Sequence, residues 1–353
     1  MEMHQSAAHT STENVDLEDV RLSVTYHPNV GGTIFWHTLQ TLCAYVPNSG
    51  LTYNLHASNM YQELLNSVEK ELQKLREDVR KVLVTTPDES LNKLELIDSI
   101  QRLGVAYHFE KEIDISLKCI YETYSECNGK QEDDLYIAAL RFRLLRQHGY
   151  NLSSADVFNK FIDHDGNIKE CSMDNVKGLL SLYEAAHFRV HGEEILDKAL
   201  EFSSSVLESR VHDMSNSLAA QVNEALQIPI RKSLTRFKAR KFMFVYQENE
   251  SHNEMLLNFA KMDFNFLQKI HQKELSDLTR WWNDLDFKNK LPFARDRMVE
   301  CYFWILGIYF EPQYQQARKI LTKVLVLGST MDDTYDVYGT LPDLQLFTAA
   351  IHR

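Results

Sequence analysis

The feature that most constrains this chain is a helical register that recurs with little interruption. The stretch YQELLNSVEKELQKLREDVRKVLV (61–84) puts Leu64, Val68, Leu72, Leu75, Val79 and Val82 on one stripe, with charges elsewhere. Similar patterns follow, with short breaks, to about residue 240. Twelve Gly and seven Pro in 353 residues are few, so long helices are favoured over many turns. No convincing period-2 run occurs, although VLVLGS (324–329) taken alone reads as a buried strand. The expectation is an all-α chain. Leu135-Tyr136 before His148-Gly149, and Leu182-Tyr183 before His191-Gly192, hint at a repeated αα-hairpin unit.

The length allows two domains or one large one. Residues 1–60 read as a poorly structured N-terminal segment, 61–245 as a first helical domain and 246–353 as a second. Ser251 and Glu254 form an S-x-x-E capping box. Phe259, Met262, Phe266, Leu267 and Ile270 then share a helix face that ends before Pro292. A further apolar segment runs from Met298 to Tyr309, and a last helix starts near Gln315. The run YFWILGIYF (302–310) is too short to span a bilayer.

The N-terminus carries Glu2, Glu13, Asp16, Glu18 and Asp19 and lacks a signal-peptide apolar core. The expected location is the cytoplasm, and the expected state a monomer. Net charge −12 argues against non-specific binding to nucleic acid or anionic membranes, while leaving room for a local basic pocket. Cys43, Cys119, Cys127, Cys171 and Cys301 form no CxxC and no zinc pattern, which suits a reducing compartment. The histidines show no HExxH spacing. DHDGN (163–167) lacks the third acidic ligand and terminal Glu of a calcium loop and reads as a turn.

The chemistry concentrates at MDDTYD (331–336). On a helix Asp332 and Asp336 share a face, with Asp333 about 100° around. Three carboxylates within five residues repel one another unless cations neutralise them. Oxygen donors at this density suit Mg²⁺, which takes one or two carboxylates together with phosphate oxygens and water. The alternative is an acidic helix end in solvent. An apolar segment beside such a site is what a hydrocarbon diphosphate requires. Upstream, Arg295 and Arg297 are suited to phosphate oxygens. Trp304 could stabilise a cation with its ring face, or could be a core aromatic.

Together, RDRMVECYFWILGIYFEPQYQQARKILTKVL, MDDTYDVYGTL, IDSIQRLGVAYHFEKEID, LRFRLLRQHGYNLSSADVFNKF, RVHGEEILDKALEF and KELSDLTRWWNDLDF closely resemble the blocks of plant terpene synthases of the sesquiterpene cyclase type, in the same order, over about 61–353. The resemblance implies an N-terminal α-barrel followed by the first part of a class I catalytic helical bundle. It implies a lyase that ionises a prenyl diphosphate, here farnesyl diphosphate, and cyclises the carbocation. It implies Mg²⁺, with Mn²⁺ as a substitute, held by Asp332 and Asp336 with Asp333 in support. By the same resemblance Arg295 and Arg297 capture diphosphate, Trp304 stabilises cations, and Leu325, Gly328 and Ser329 line the substrate pocket.

The chain departs from the family pattern in two places. Of the N-terminal RRx8W signature Arg21 is kept, but Leu22 and Gly31 replace the second Arg and the Trp. The family's second metal motif, of the (N/D)Dxx(S/T)xxxE kind, has no counterpart before Arg353. The expectation is therefore an incomplete cyclase chain, or a catalytically dead truncated relative.

Overall fold

Side-chain caps set where many of the helices begin. The computed structural model describes residues 55–126, 134–163, 168–169, 174–249 and 251–353, with side chains from Val68 onward except Val337. In it Ser90 Oγ accepts the Lys93 N–H, Asp134 accepts from Tyr136 and Ile137, and Asn175 accepts from Gly178. Each cap satisfies an amide that has no partner within its helix. The helices are α1 (Leu55–Thr85), α2 (Leu91–Arg102), α3 (Glu110–Glu126), α4 (Leu135–Gln147), α5 (Ser154–Phe158), α6 (Val176–Ala186) and α7 (Glu194–Arg210). They continue as α8 (Asn216–Gln227), α9 (Thr235–Glu248), α10 (Glu254–Asp284), α11 (Phe287–Lys290), α12 (Met298–Ile308), α13 (Gln315–Asp333) and α14 (Leu341–Ile351). Among the described residues the extended pairing is limited to one antiparallel bridge, Ile162 with Ile168. VLVLGS lies inside α13 and is helical. The expected 1–60 segment falls largely, and the Arg21, Leu22 and Gly31 positions entirely, outside the described residues, as do Cys43, Cys127, Cys171 and 164–167 of the turn.

The capping box is a correction. Helix α10 begins at Glu254, and Asn253 Oδ1 accepts the Leu256 N–H at 3.0 Å. Ser251 instead bonds Asn249, and Glu254 pairs with His252 and Asn258. Asn is as good a cap as Ser, and it stands next to the first helical residue.

Two compact units divide inside α10, between Gln268 and Lys269, whereas the sequence division at 245/246 falls within α9. In the first unit Leu94, Ile97, Ile100, Phe109, Leu117, Phe142, Leu144, Leu179 and Leu182 are buried. Helix α4 packs on α6, and α6 on α7. Gly149 and Gly192, the paired glycines of the faint repeat, both adopt positive φ (82° and 90°), a conformation glycine takes at little cost.

Several of the polar groups buried in this unit are partnered. Lys93 Nζ meets the Leu83 carbonyl, Ser116 and Asp88. Asp263, fully buried, accepts from Tyr107 Oη at 2.5 Å and lies 2.9 Å from His108 Nε2. Beside it Arg236 stacks on Phe264 and donates to the Phe264 carbonyl. Burial lowers the Arg236 pKa to about 10, against the pull of Asp263.

In the second unit Leu278, Trp282, Met298, Cys301, Tyr302 and Val326 form a small core from α10, α12 and α13. At its edge Arg318 and Glu274, both with fully buried side chains, make a bidentate pair at 2.7 and 2.9 Å. Tyr302 Oη donates to the same carboxylate at 3.0 Å, and Arg318 also donates to the Glu311 carbonyl at 2.6 Å. Burial and the neighbouring Glu274 keep the Tyr302 phenol protonated. Burial alone would lower the Arg318 pKa, but its bonds to Glu274 carry it upward. No described helix is long and apolar enough to cross a membrane.

Two outcomes follow for stability. Arg318→Met should cost about 3–5 kcal/mol in urea unfolding by leaving Glu274 buried and uncompensated, and Glu274→Leu/Arg318→Met should recover much of it. In the first unit the His187 Nε2 is buried without a partner. Burial, then Lys232 and Arg189, pushes the His187 pKa down to about 4. The unfolded chain takes that proton below about pH 6.5. Stability from this group is therefore present above pH 6.5 and lost as pH falls towards 4. Melting curves of His187→Phe should be flatter than the parent's across that window.

Candidate active site

Helix α13 is amphipathic with its faces reversed. Its buried positions are Arg318, Thr322, Val326, Thr330 and Asp333, a stripe at i, i+4, i+8, i+12 and i+15 that is mostly polar. Its outer face carries Ile320, Leu321, Val324, Leu327 and Met331, all exposed, with Val324 at 61%. An exposed apolar stripe marks a surface meant for another apolar body. The polar stripe stays inside because each end is held by a charge: Arg318 by Glu274 and Asp333 by Arg295.

Asp333 is the innermost of the three aspartates, with a fully buried side chain. Its Oδ2 accepts the backbone N–H of Arg295 at 2.8 Å, and its Oδ1 accepts Arg295 Nε at 2.7 Å together with Nη2. This corrects two expectations. Asp333 does not stand beside Asp332 and Asp336 as a supporting ligand, because it faces inward. Arg295 does not stand ready for phosphate, because its guanidinium is committed to Asp333. Arg297 sits at the N-cap of α12, its carbonyl accepting from Cys301, and its half-buried guanidinium makes no ion pair among the described residues.

Asp332 and Asp336 are exposed and have no hydrogen-bond or ion-pair partner among the described residues. Between them the backbone changes to a π-helical turn, Thr334–Tyr338, closed by the Gly339 N–H on the Thr334 carbonyl at 2.8 Å. A π turn takes more residues than an α turn, so residues four apart come closer to eclipsing, and such turns often occur at functional sites. Phe293 stacks on Tyr338 at 4.5 Å, and Tyr335 Oη bonds Thr348 of α14 at 2.7 Å. A Cβ at Gly339 would meet Leu344 at 2.4 Å and the Thr334 carbonyl at 2.9 Å, so this close approach requires glycine.

The donor set fits a hard divalent cation. Two unpaired carboxylates at one helix end match the one or two that Mg²⁺ takes, with water and phosphate oxygens completing its shell. Among the described residues no three His, Cys, Asp or Glu converge as a closed metal cage.

Of the other expected residues, Leu325, Gly328 and Ser329 precede Asp332 on α13, and Trp304 lies on α12. Trp304 is 52% exposed and so is not a core aromatic. Gly328 faces open space, Ser329 is half-buried, and Leu325 packs against the Trp282–Val326 core. Glu274, Arg318 and Tyr302 escaped the sequence reading. Their signal was a charged residue in an apolar register: Leu267, Glu274, Leu278 and Trp282 recur at helical spacing on α10. A separate cavity of about 700 Å³ in the first unit is lined by Glu95, Arg102, Tyr136, Lys177 and others. Tyr136 and Lys177 are both paired to Glu95.

The Asp333–Arg295 pair sets the orientation of the site. Arg295→Met should cost about 3–5 kcal/mol of stability by leaving Asp333 unpaired. A double-mutant cycle with Asp333→Leu should return a coupling of the same sign, and additive effects would remove the pair from this role.

Residues 50–226 match the family model described as the terpene synthase N-terminal domain, and residues 283–353 match the terpene synthase family metal binding domain. A beta-caryophyllene synthase of Phyla dulcis is 56% identical, over 98% of this chain and 60% of that protein. A (-)-germacrene D synthase of Origanum vulgare is 52% identical, over 100% of this chain and 59% of that one. The chain thus spans about three fifths of the length of these curated relatives. Isoprene synthase of grey poplar, Populus x canescens, solved with three Mg²⁺ ions and dimethylallyl-S-thiolodiphosphate, superposes with a TM-score of 0.76 at 39% identity, over 83% of this chain and 56% of that one. Two expectations are corrected. Within the family the quoted blocks look most like delta-cadinene synthase, whereas close relatives include caryophyllene and germacrene D synthases. The similarity also reaches beyond 61–353, over almost the whole chain.

Proposed function

This chain belongs to the terpene synthase family, and on that premise we propose that it carries the first metal site of a Mg²⁺-dependent class I sesquiterpene synthase acting on farnesyl diphosphate. The observation that carries this reading is the outer face of α13: an apolar stripe through Val324, Leu327 and Met331 that leads to two unpaired carboxylates, Asp332 and Asp336. A hydrocarbon diphosphate has that polarity along its length. The solved relative with three Mg²⁺ ions and a thiolodiphosphate supports the choice of metal and ligand class. The caryophyllene and germacrene D synthases support a sesquiterpene product.

Asp332 and Asp336 would hold Mg²⁺, with Mn²⁺ as a substitute. When bound, the metal supplies positive charge against the diphosphate as the allylic C–O bond breaks. Arg297, which makes no ion pair among the described residues, binds diphosphate oxygens and keeps the leaving group from recombining. Arg295 orients the helix end through Asp333. Trp304 offers a ring face to the carbocation, and Gly328 and Ser329 form wall beneath the carboxylates, with Leu325 backing it from the core. The domain roles are an N-terminal α-barrel over 61–245 and a metal-binding domain over 246–353, in a cytoplasmic monomer.

The second reading is a relative without cyclase activity. One experiment separates the two. The folded 353-residue chain is incubated with farnesyl diphosphate and Mg²⁺, and diphosphate and hydrocarbons are measured. Release that falls by two orders of magnitude or more in Asp332→Ala (about 3 kcal/mol) is the expected outcome for a competent site. A folded chain that releases no diphosphate would count against a competent site within these 353 residues.

A further inference from the structure

Between Glu224 and Glu248 the chain carries six cations and no carboxylate, although its net charge is −12. The six are Arg231, Lys232, Arg236, Lys238, Arg240 and Lys241. Arg236 is turned inward beside Asp263 and Phe264, and Lys238 donates to the Ile228 carbonyl. Arg231, Lys232 and Lys241 remain exposed. Among them stand four exposed apolar side chains, Ile228 (44%), Leu234 (45%), Phe237 (40%) and Phe244 (62%). Leu234, Phe237, Lys241 and Phe244 recur at i, i+3, i+7 and i+10, which places them on one face of α9. Lys241 Nζ lies 5.9 Å from the Phe237 ring centre, and Arg231 stands 5.4 Å from that of Phe188.

Aromatic and aliphatic side chains on a helix flanked by cations are the composition of an interfacial surface. The apolar groups enter the headgroup layer, and the long cationic stems reach lipid phosphates. The overall negative charge does not cancel this, because at physiological ionic strength charges beyond about 8 Å are largely screened. A nucleic acid would use the cations and could stack on the two Phe rings, but it offers nothing to Ile228 and Leu234. Of the nearby carboxylates, Glu184 is buried on the Ile230 N–H; burial lowers the Lys238 pKa, and Glu184 and Glu224 pull against it.

We propose that this face of α9 and the turn before it is a peripheral docking site for an anionic lipid bilayer, with Phe237 and Phe244 as apolar anchors and Arg231, Lys232 and Lys241 as phosphate contacts.

The test is co-sedimentation of the 353-residue chain with vesicles of phosphatidylcholine alone or mixed with phosphatidylserine. The chain should bind the mixed vesicles, more weakly as salt rises, and not the neutral ones. Arg231→Gln/Lys232→Gln/Lys241→Gln should lower the affinity roughly a hundredfold. Phe237→Ser/Phe244→Ser should lower it by about tenfold or more. Lys81→Gln/Lys118→Gln, which removes two exposed cations elsewhere, should leave it within about twofold, since a screened remote charge adds little. Phe244→Trp provides a check that needs no loss of binding: brominated lipid should quench the added fluorescence. Equal binding to neutral vesicles overturns the proposal, as does binding that the α9 variants leave unchanged, which would point to the apolar face of α13. Absence of quenching at position 244 also overturns it. Tight binding to a single-stranded oligonucleotide that is lost in the cation variant but kept in the Phe variant would reassign the surface to nucleic acid.

Discussion

The second unit depends on one buried ion pair. Arg318 and Glu274 are both fully enclosed, and charges so placed are costly unless each hydrogen bond is made. Here Tyr302 and the Glu311 carbonyl complete the set. The pair fixes which side of α13 faces the core. With Arg318 inside, helical spacing carries Thr322, Val326, Thr330 and Asp333 inside as well, and turns Ile320, Val324, Leu327 and Met331 outward. A hydrophobic ranking of the same residues would have turned the helix the other way.

The arrangement of the aspartates follows from that choice. Asp333 arrives at the buried end of the stripe and is met by Arg295. Asp332, one residue earlier, faces solvent. Past Asp333 the backbone opens into a π turn, and Asp336 is also left in solvent. One carboxylate is thereby spent on holding the helix end, and two stay available at the head of an apolar wall. Three aspartates that look equivalent in the sequence divide into one positioning group and two candidate ligands, and the division is made by Arg318, fifteen residues before the first buried aspartate.

Helix content and order were readable from the chain. The stripe through Leu72 and Val79 packs inward as its spacing required. The helices beginning near Met298 and Gln315 start where apolar register and polar breaks put them. Local competition among similar residues was harder to read. Ser251 and Asn253 are both good caps, and only the backbone path decides that Asn253 serves. Trp304 as core or cavity aromatic could not be settled from its type, since both places favour a large apolar ring; the structure leaves it half in solvent. Glu274 and Arg318 are separated by more than forty residues, so no local pattern links them.

The sequence by itself determined that this is an all-helical chain with a dense oxygen-donor motif beside an apolar segment, because helical periodicity and residue chemistry are local properties. Its blocks were enough to place it among the terpene synthases. Only the tertiary structure decided which aspartate is buried, which arginine is engaged and which face of α13 meets solvent. Those outcomes depend on ion pairs between residues distant in the chain, Glu274 with Arg318 and Arg295 with Asp333, and such pairs exist only once the helices have packed.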